Sequence, residues 1–481
     1  MDHRGPDNLS SINIKNNYFG HVRLSIIDLN ERSNQPLKID NKIIIYNGEI
    51  YNYKELIRDH NLKITTQSDT EVLLRMFILY GKDCLKFFNG MFSFVIYDEI
   101  EDSIFIARDR LGIKPLYYRK LNNSMIVSSE IQAILKLKSD DFDQFGLRQY
   151  KKLRMTIKGY TTYKNIKQFP PGHFYDGKFF HSYWKLNTMK KSDPKDDDLK
   201  ELIEDSVRLR KRSDVPVGSF LSGGLDSTIL SFLLKPTHTW TIGFKHLNEF
   251  NWSEKANSQL HSYHKKILMS KKEFLDLLRM MVIKRREPLS VPNEVLIYKM
   301  AKEAKKKNTV VLSGEGADEL FWGYDRIFRW AKSVNSMSIK DFDKYYCYGT
   351  NNDDEVLDFA LENIPGEKPL DRIAYYFQII HLQGLLRRLD NSTMLCSVEA
   401  RVPFVDHRLI EMMAGTSFRW RMGKTFKDPL KRLYNNLIPQ EIIDREKVGF
   451  PVPLKSIFQD HRGNTGMDQW LNHNLELLKK V

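Results

Sequence analysis

Six residues, Ser222-Gly223-Gly224-Leu225-Asp226-Ser227, lie between the apolar stretch Val215 to Leu221 and the apolar run Thr228 to Leu234. That order reads as strand, glycine turn and helix start. Gly223 and Gly224 let the backbone fold tightly enough for several N–H groups to face one anion, and Ser222 and Ser227 add hydroxyl donors at the positive end of the helix. The guest that fits is a pyrophosphate group. Asp226 would repel such a guest without a divalent cation between them, so the motif itself calls for magnesium. No Gly-Lys-Ser/Thr follows, which excludes a Walker A loop. A plain glycine turn is the alternative. A second loop, Ser313-Gly314-Glu315-Gly316-Ala317-Asp318-Glu319, follows the strand-like Thr309 to Leu312 and carries three carboxylates in five residues. Such crowding is costly unless a cation or a proton relieves it, so the loop reads as a metal or acid/base site, with a solvated turn as the alternative. Two strand-loop-helix units of this kind predict an open parallel sheet with its ligand above the carboxyl edge, where Asp226 and Asp318 would share one magnesium ion.

These loops must be carried by something larger. The chain has 481 residues, more than one core usually holds, and Asn187 to Asp198, reading NTMKKSDPKDDD, has the composition of a linker. Before it, strand-like runs at Lys42 to Tyr46, Met91 to Tyr97 and Ser103 to Ala107 alternate with turns and one amphipathic stretch, Asp69 to Phe88, which predicts a sheet-rich α+β domain. After it, helical periodicity dominates, as in Leu199 to Leu209, Lys272 to Ile283 and Leu370 to Leu389, which predicts an α/β core with helical extensions. The divisions are thus 1–186, a linker 187–198, and 199–481. No run approaches a membrane span, and Met1 to Ser10 are too polar for a signal peptide, which predicts a soluble, cytoplasmic chain. The three cysteines form no Cys-x-x-Cys pair, so neither a disulfide framework nor a zinc site is expected. The net charge of +14 raises the possibility of a polyanion binder, but Lys151-Lys152 and Lys305-Lys306-Lys307 come without any nucleic-acid-binding signature. Solvated lysine surface accounts for them, and no nucleic-acid partner is expected.

SGGLDS resembles the pyrophosphate loop of ATP pyrophosphatases that adenylate a substrate, and SGEGADE followed by Leu320-Phe321-Trp322-Gly323-Tyr324 resembles the companion loop of the asparagine synthetase family. Thr241-Ile242-Gly243-Phe244, Ser397 to Asp406 and Arg445-Glu446-Lys447-Val448-Gly449-Phe450 match in order, and the resemblance covers essentially the whole chain. It implies an ATP- and magnesium-dependent enzyme that converts aspartate, through a β-aspartyl adenylate, to asparagine, AMP and pyrophosphate. Ser222, Gly223, Gly224, Asp226, Ser227, Ser313 and Gly314 would bind ATP and pyrophosphate, and Ile242 and Gly243 would hold adenine through backbone contacts. Lys447 would stabilise charge on the α-phosphate. Glu315, crowded by Asp318 and Glu319, would be the general base for the incoming ammonia.

The amino-terminal third resembles the glutaminase domain of the same family, a class II glutamine amidotransferase with an αββα sandwich, through His3 to Asp7, Gly20 to Asp28, Tyr46 to Asn52, Ser68 to Glu71 and Ala107 to Gly112. By that resemblance Arg23 and Asp69 would clamp the carboxylate and amino group of glutamine, Asn47 and Gly48 would supply oxyanion donors, and Glu49 would contact the substrate amide. In isolation, Asn47-Gly48 reads equally as a turn. The family's nucleophile is an amino-terminal cysteine, whereas this sequence opens Met1-Asp2-His3-Arg4-Gly5-Pro6-Asp7 and holds only Cys84, Cys347 and Cys396. The sandwich is therefore expected to be incomplete and the nitrogen to come from ammonia rather than glutamine. A truncated reading of a longer protein explains this better than a natural variant, because the glutamine-handling residues are kept. Trp322 in place of a glycine, Arg286-Glu287-Pro288 and Asn251 to Glu254 depart from the family pattern, so another carboxylate such as a sugar acid, or a noncatalytic homologue, stays open. The family also suggests a homodimer.

Overall fold

The computed structural model describes residues 1–122, 124–189, 192–423, 425–446, 449–459 and 463–480. The amino-terminal part is built in four layers. Its central six-stranded sheet is antiparallel and runs, edge to edge, Phe180–Ser182, His173–Tyr175, Ser103–Arg108, Gly90–Asp98, Lys42–Ile50 and Leu37–Ile39. Successive side chains of a strand point to opposite faces, so two cores form. Ile44, Phe92 and Phe94 pack with Val72, Leu73 and Met76 of the helix Asp69–Tyr80. Their neighbours Ile43, Val95 and Ile106 pack with Leu116 and Phe169, beside a three-stranded sheet of Met125–Ser128, Tyr117–Lys120 and Lys167–Gln168. Ile131 and Ile134 of the helix Ile131–Leu137 close the far side against Tyr117 and Ile166. This is the expected αββα arrangement.

The amphipathic stretch from Asp69 ends as a regular helix at Tyr80, where Gly81 takes φ +54°, and continues as a 3₁₀ segment, Gly81–Lys86. Asn47-Gly48 is not a turn. Both lie inside the strand Lys42–Ile50, paired with Ser93 and Phe92. Gly48, at φ +151°, brings its backbone so close to the next strand that a Cβ would sit 2.1 Å from the Met91 carbonyl oxygen. Gly48→Ala is therefore expected to cost about 3 kcal/mol or more, visible as a lowered midpoint in thermal unfolding.

The carboxyl-terminal part holds a five-stranded, wholly parallel sheet in the order Tyr263–Met269, His238–Phe244, Val217–Phe220, Val310–Leu312, Glu399–Arg401. Val310, Val311 and Leu312 are fully buried, as strands covered on both faces must be. Chain order reverses between Val217–Phe220 and Val310–Leu312, and the crevice beyond that reversal is where open α/β sheets bind ligands. The segment expected to be a linker is shorter than its composition suggests. Asp196–Arg210 is a helix, and Asp196, Asp197 and Asp198 occupy its first turn, where acidic residues favour the positive helix end. The periodic stretch Leu370 to Leu389 is likewise not one helix. A π-helical turn, Tyr376–His381, separates Pro369–Tyr375 from Leu382–Met394 and shifts the phase between the halves. Among the described residues no helix is long and apolar enough to cross a membrane.

Candidate functional site

Both glycine loops emerge at the reversal point, SGGLDS after Val217–Phe220 and SGEGADE after Val310–Leu312. They wall a cavity of about 390 Å³. Ser222, Gly224, Asp226, Ser227, Ile242, Ser313, Gly314, Glu315 and Asp318 all line it. The first loop is held ready by its own hydroxyls. Ser222 Oγ and Ser227 Oγ lie 3.0 Å apart, and Ser222 Oγ accepts the Gly224 N–H at 3.2 Å. The helix Leu225–Leu234 begins immediately behind, aiming its N-terminus into the cavity. Two predicted residues are structural instead of lining. Gly223, at φ +76°, lets the loop pass the Trp252 backbone, where a Cβ would meet the Trp252 carbonyl carbon at 2.3 Å. Gly243 lies against Asn248. Apolar side chains of Ile242, Ile297, Met300 and Phe450 supply a wall suited to a flat base.

Asp226 and Asp318 do converge, as the two loops predict, but on a residue the sequence did not single out. The buried Lys427 ammonium lies 2.5 Å from Asp226 Oδ2 and 2.5 Å from Asp318 Oδ1. Burial alone would lower the Lys427 pKa, yet the two aspartates together raise it, so the group stays charged. Lys427 caps the helix Asp428–Tyr434 in a left-handed conformation, φ +55°, and one turn on Lys431 also lines the cavity. The Lys427 ammonium stands at the point to which both carboxylates turn, and among the described residues no group of three or more His, Cys, Asp or Glu could hold a metal ion. Lys447 lies outside the described residues. On the same flank Arg445 pairs with Glu249 and donates to the Gly223 carbonyl at 3.0 Å, pinning the first loop.

Glu315 accepts a 2.5 Å bond from Arg388 Nη2, and Arg388 Nη1 also reaches Asn293 at 3.3 Å. Glu319, in the same loop, has a raised pKa. Burial chiefly, then the Asp318 charge, push it up to about 7 against a 2.5 Å bond from the Tyr324 hydroxyl. Its ordinary value is 4.5, so the folded chain keeps a proton that the unfolded chain has released. This contribution to stability is complete below pH 4.5 and is lost as pH rises through about 7. Glu319→Gln removes that loss. Its stability relative to the parent should rise between about pH 5 and 7 in urea titrations.

The amino-terminal cavity, about 180 Å³, is lined by Arg23, Asn47, Gly48, Glu49 and Asp69, so all five residues assigned to glutamine meet there. Asp69 Oδ2 accepts from the Tyr46 hydroxyl at 2.8 Å and the Ile50 N–H at 2.9 Å, while burial pushes its pKa up to about 6. Asn47 Nδ2 donates to Ser129 Oγ at 3.1 Å. Arg23 spends its terminal nitrogens on the Asn30 carbonyl at 2.8 Å, the Asn34 side chain at 2.9 Å, and the carbonyls of Ile27 and Asp28. It ties that loop to the cavity wall. Glu49 Oε2 is held by Arg401 at 2.9 Å, and its buried Oε1 has no hydrogen-bond partner among the described residues, leaving a polar atom that a ligand amide would satisfy. Cys84, Cys347 and Cys396 are not among the residues lining either cavity, and burial pushes all three thiols up, Cys347 and Cys396 to about 12.

The pattern of the asparagine synthase family matches residues 198–479, and that of the glutamine amidotransferase domain matches residues 1–184. Asparagine synthetase [glutamine-hydrolyzing] 1 of Bacillus subtilis is 30% identical over 98% of this chain and 85% of its own length. Asparagine synthetase [glutamine-hydrolyzing] 3 of the same organism is also 30% identical, with the same coverage. A putative asparagine synthetase [glutamine-hydrolyzing] 2 of Methanocaldococcus jannaschii is 36% identical over 67% of this chain and 71% of its own. With both patterns in order and two glycine loops meeting at one sheet edge, the chain belongs to the asparagine synthase family of carbon–nitrogen ligases.

Proposed function

We propose that this chain amidates the side-chain carboxylate of aspartate at the expense of ATP. The observation that carries the reading is the Lys427 ammonium between Asp226 and Asp318, in the cavity that the pyrophosphate-type loop and Glu315 also line. In the first step a carboxylate oxygen of aspartate bonds to the α-phosphorus and the bond to the β-phosphate oxygen breaks. Ser222, Gly224 and Ser227 orient the departing pyrophosphate, and Lys427 offsets charge building on the phosphates. Asp226 and Asp318, once released from the Lys427 ammonium, would hold magnesium, which would supply positive charge for the pyrophosphate oxygens. In the second step ammonia attacks the acyl carbon of the mixed anhydride, Glu315 takes the proton it sheds, and AMP leaves. Arg388 holds Glu315 in place for this.

The amino-terminal cavity is the glutamine pocket in this reading, with Asp69 for the ammonium, Glu49 for the amide, Asn47 and Gly48 for an oxyanion, and Arg23 at the carboxylate end. Among the described residues no thiol lines it, and in this reading free ammonia is the nitrogen source to be tested against glutamine. The family matches support two functional units joined near residues 185–197. Exchange of labelled pyrophosphate into ATP tests the first step. Exchange that requires aspartate supports the reading, and exchange that requires a sugar acid instead replaces the acceptor.

A further inference from the structure

Arg401 lines neither cavity but bonds to a lining residue of each, Glu49 of the amino-terminal one and Ser313 of the other. It is the last residue of the strand Glu399–Arg401, its side chain is 0% exposed, and its backbone carbonyl accepts the N–H of Ser313, the first residue of the acidic loop, at 2.9 Å. Its guanidinium crosses to the other unit. Nη2 donates to Glu49 Oε2 at 2.9 Å, Nε to Glu399 Oε1 at 2.8 Å, and Nη1 to the carbonyls of Arg210, at 2.9 Å, and Arg212. Beyond Glu399 the charges keep alternating, with Lys114 3.5 Å from Glu399 and 3.1 Å from Asp390, and Arg4 2.7 Å from Asp390.

We infer that Arg401 is a positioning residue, which transmits occupancy of the Ser313–Glu319 loop to the placement of Glu49 in the amino-terminal cavity. The inference rests on reading the cavities as nucleotide and glutamine sites. A fully buried carboxyl has no water to take over when its partner moves, so Glu49 must follow the guanidinium or lose the donor that holds its Oε2. The loop and the carboxylate are one residue apart through Arg401, although Ser313 and Glu49 are distant in sequence. A planar fork with five donors is needed to serve two carboxylates and two carbonyls at once; a lysine in its place keeps the charge and loses the span.

The full chain tests this by hydrogen exchange of the Tyr46–Ile50 amides and by calorimetric glutamine binding, each with and without a non-hydrolysable ATP analogue, magnesium and aspartate. In the parent chain the analogue should change the exchange rates and the glutamine Kd by about fivefold or more. In Arg401→Lys both responses should vanish, while analogue binding and ammonia-dependent AMP formation stay close to the parent. Should that variant fold poorly, the double variant R401Q/E399Q removes one charge of each sign and should likewise lose the response. An analogue that binds the parent without altering the strand, or a response that survives in either variant, overturns the role of Arg401. An analogue that does not bind the parent at all overturns the nucleotide-site reading and this inference with it.

Discussion

Lys427→Met should lower ammonia-dependent AMP formation by about 10²- to 10³-fold, the usual loss when a preorganised charge is taken from a transition state. The variant also leaves Asp226 and Asp318 facing each other with no ammonium between them. Breaking a buried ion pair by removing one partner costs about 3–5 kcal/mol, so a lower melting temperature accompanies the loss of activity. The two effects are separable. Magnesium binds the uncovered carboxylates of the folded state only, so it should raise the melting temperature of the variant more than that of the parent. A variant that melts like the parent and keeps its rate would remove Lys427 from the account.

Glu315→Gln should divide the reaction in two. Proton removal by a placed carboxylate contributes about 10²- to 10⁴-fold, so asparagine formation should fall by that factor. Formation of the adenylate needs no such base. Aspartate-dependent pyrophosphate exchange should therefore stay within about threefold of the parent, because the glutamine side chain still meets Arg388 and fills the same volume. Equal loss of exchange and synthesis would place Glu315 in substrate binding instead of in the second step.

Much of the site was readable because its chemistry is local. SGGLDS and SGEGADE each carry glycines, hydroxyls and carboxylates within a few residues of a strand end, and the parallel sheet brings them together as that placement predicts. Lys427 was not readable. It stands 201 residues from Asp226 in a segment with no glycine motif, and its meaning depends on a left-handed turn that places its ammonium between two loops. The same holds for the Glu315–Arg388 pair, and for Arg401, whose partners Glu49 and Ser313 belong to different units. The raised pKa of Glu319 was not readable either, since burial is its chief cause and the Asp318 charge comes second. Asn47-Gly48, a turn signal in any short window, is a strand here because Gly48 allows contact with Met91. The π-helical turn at Tyr376–His381 escaped for a related reason, since helical periodicity registers amphipathic faces and not a single inserted residue.

Mass analysis of products from the 481-residue chain, supplied with ATP, magnesium, aspartate, isotopically labelled ammonium and unlabelled glutamine together, tests the central claim most directly. Labelled asparagine formed in step with AMP is the predicted result. AMP without asparagine, or no AMP under any supply of nitrogen, would contradict aspartate amidation, and unlabelled asparagine would contradict free ammonia as the nitrogen source.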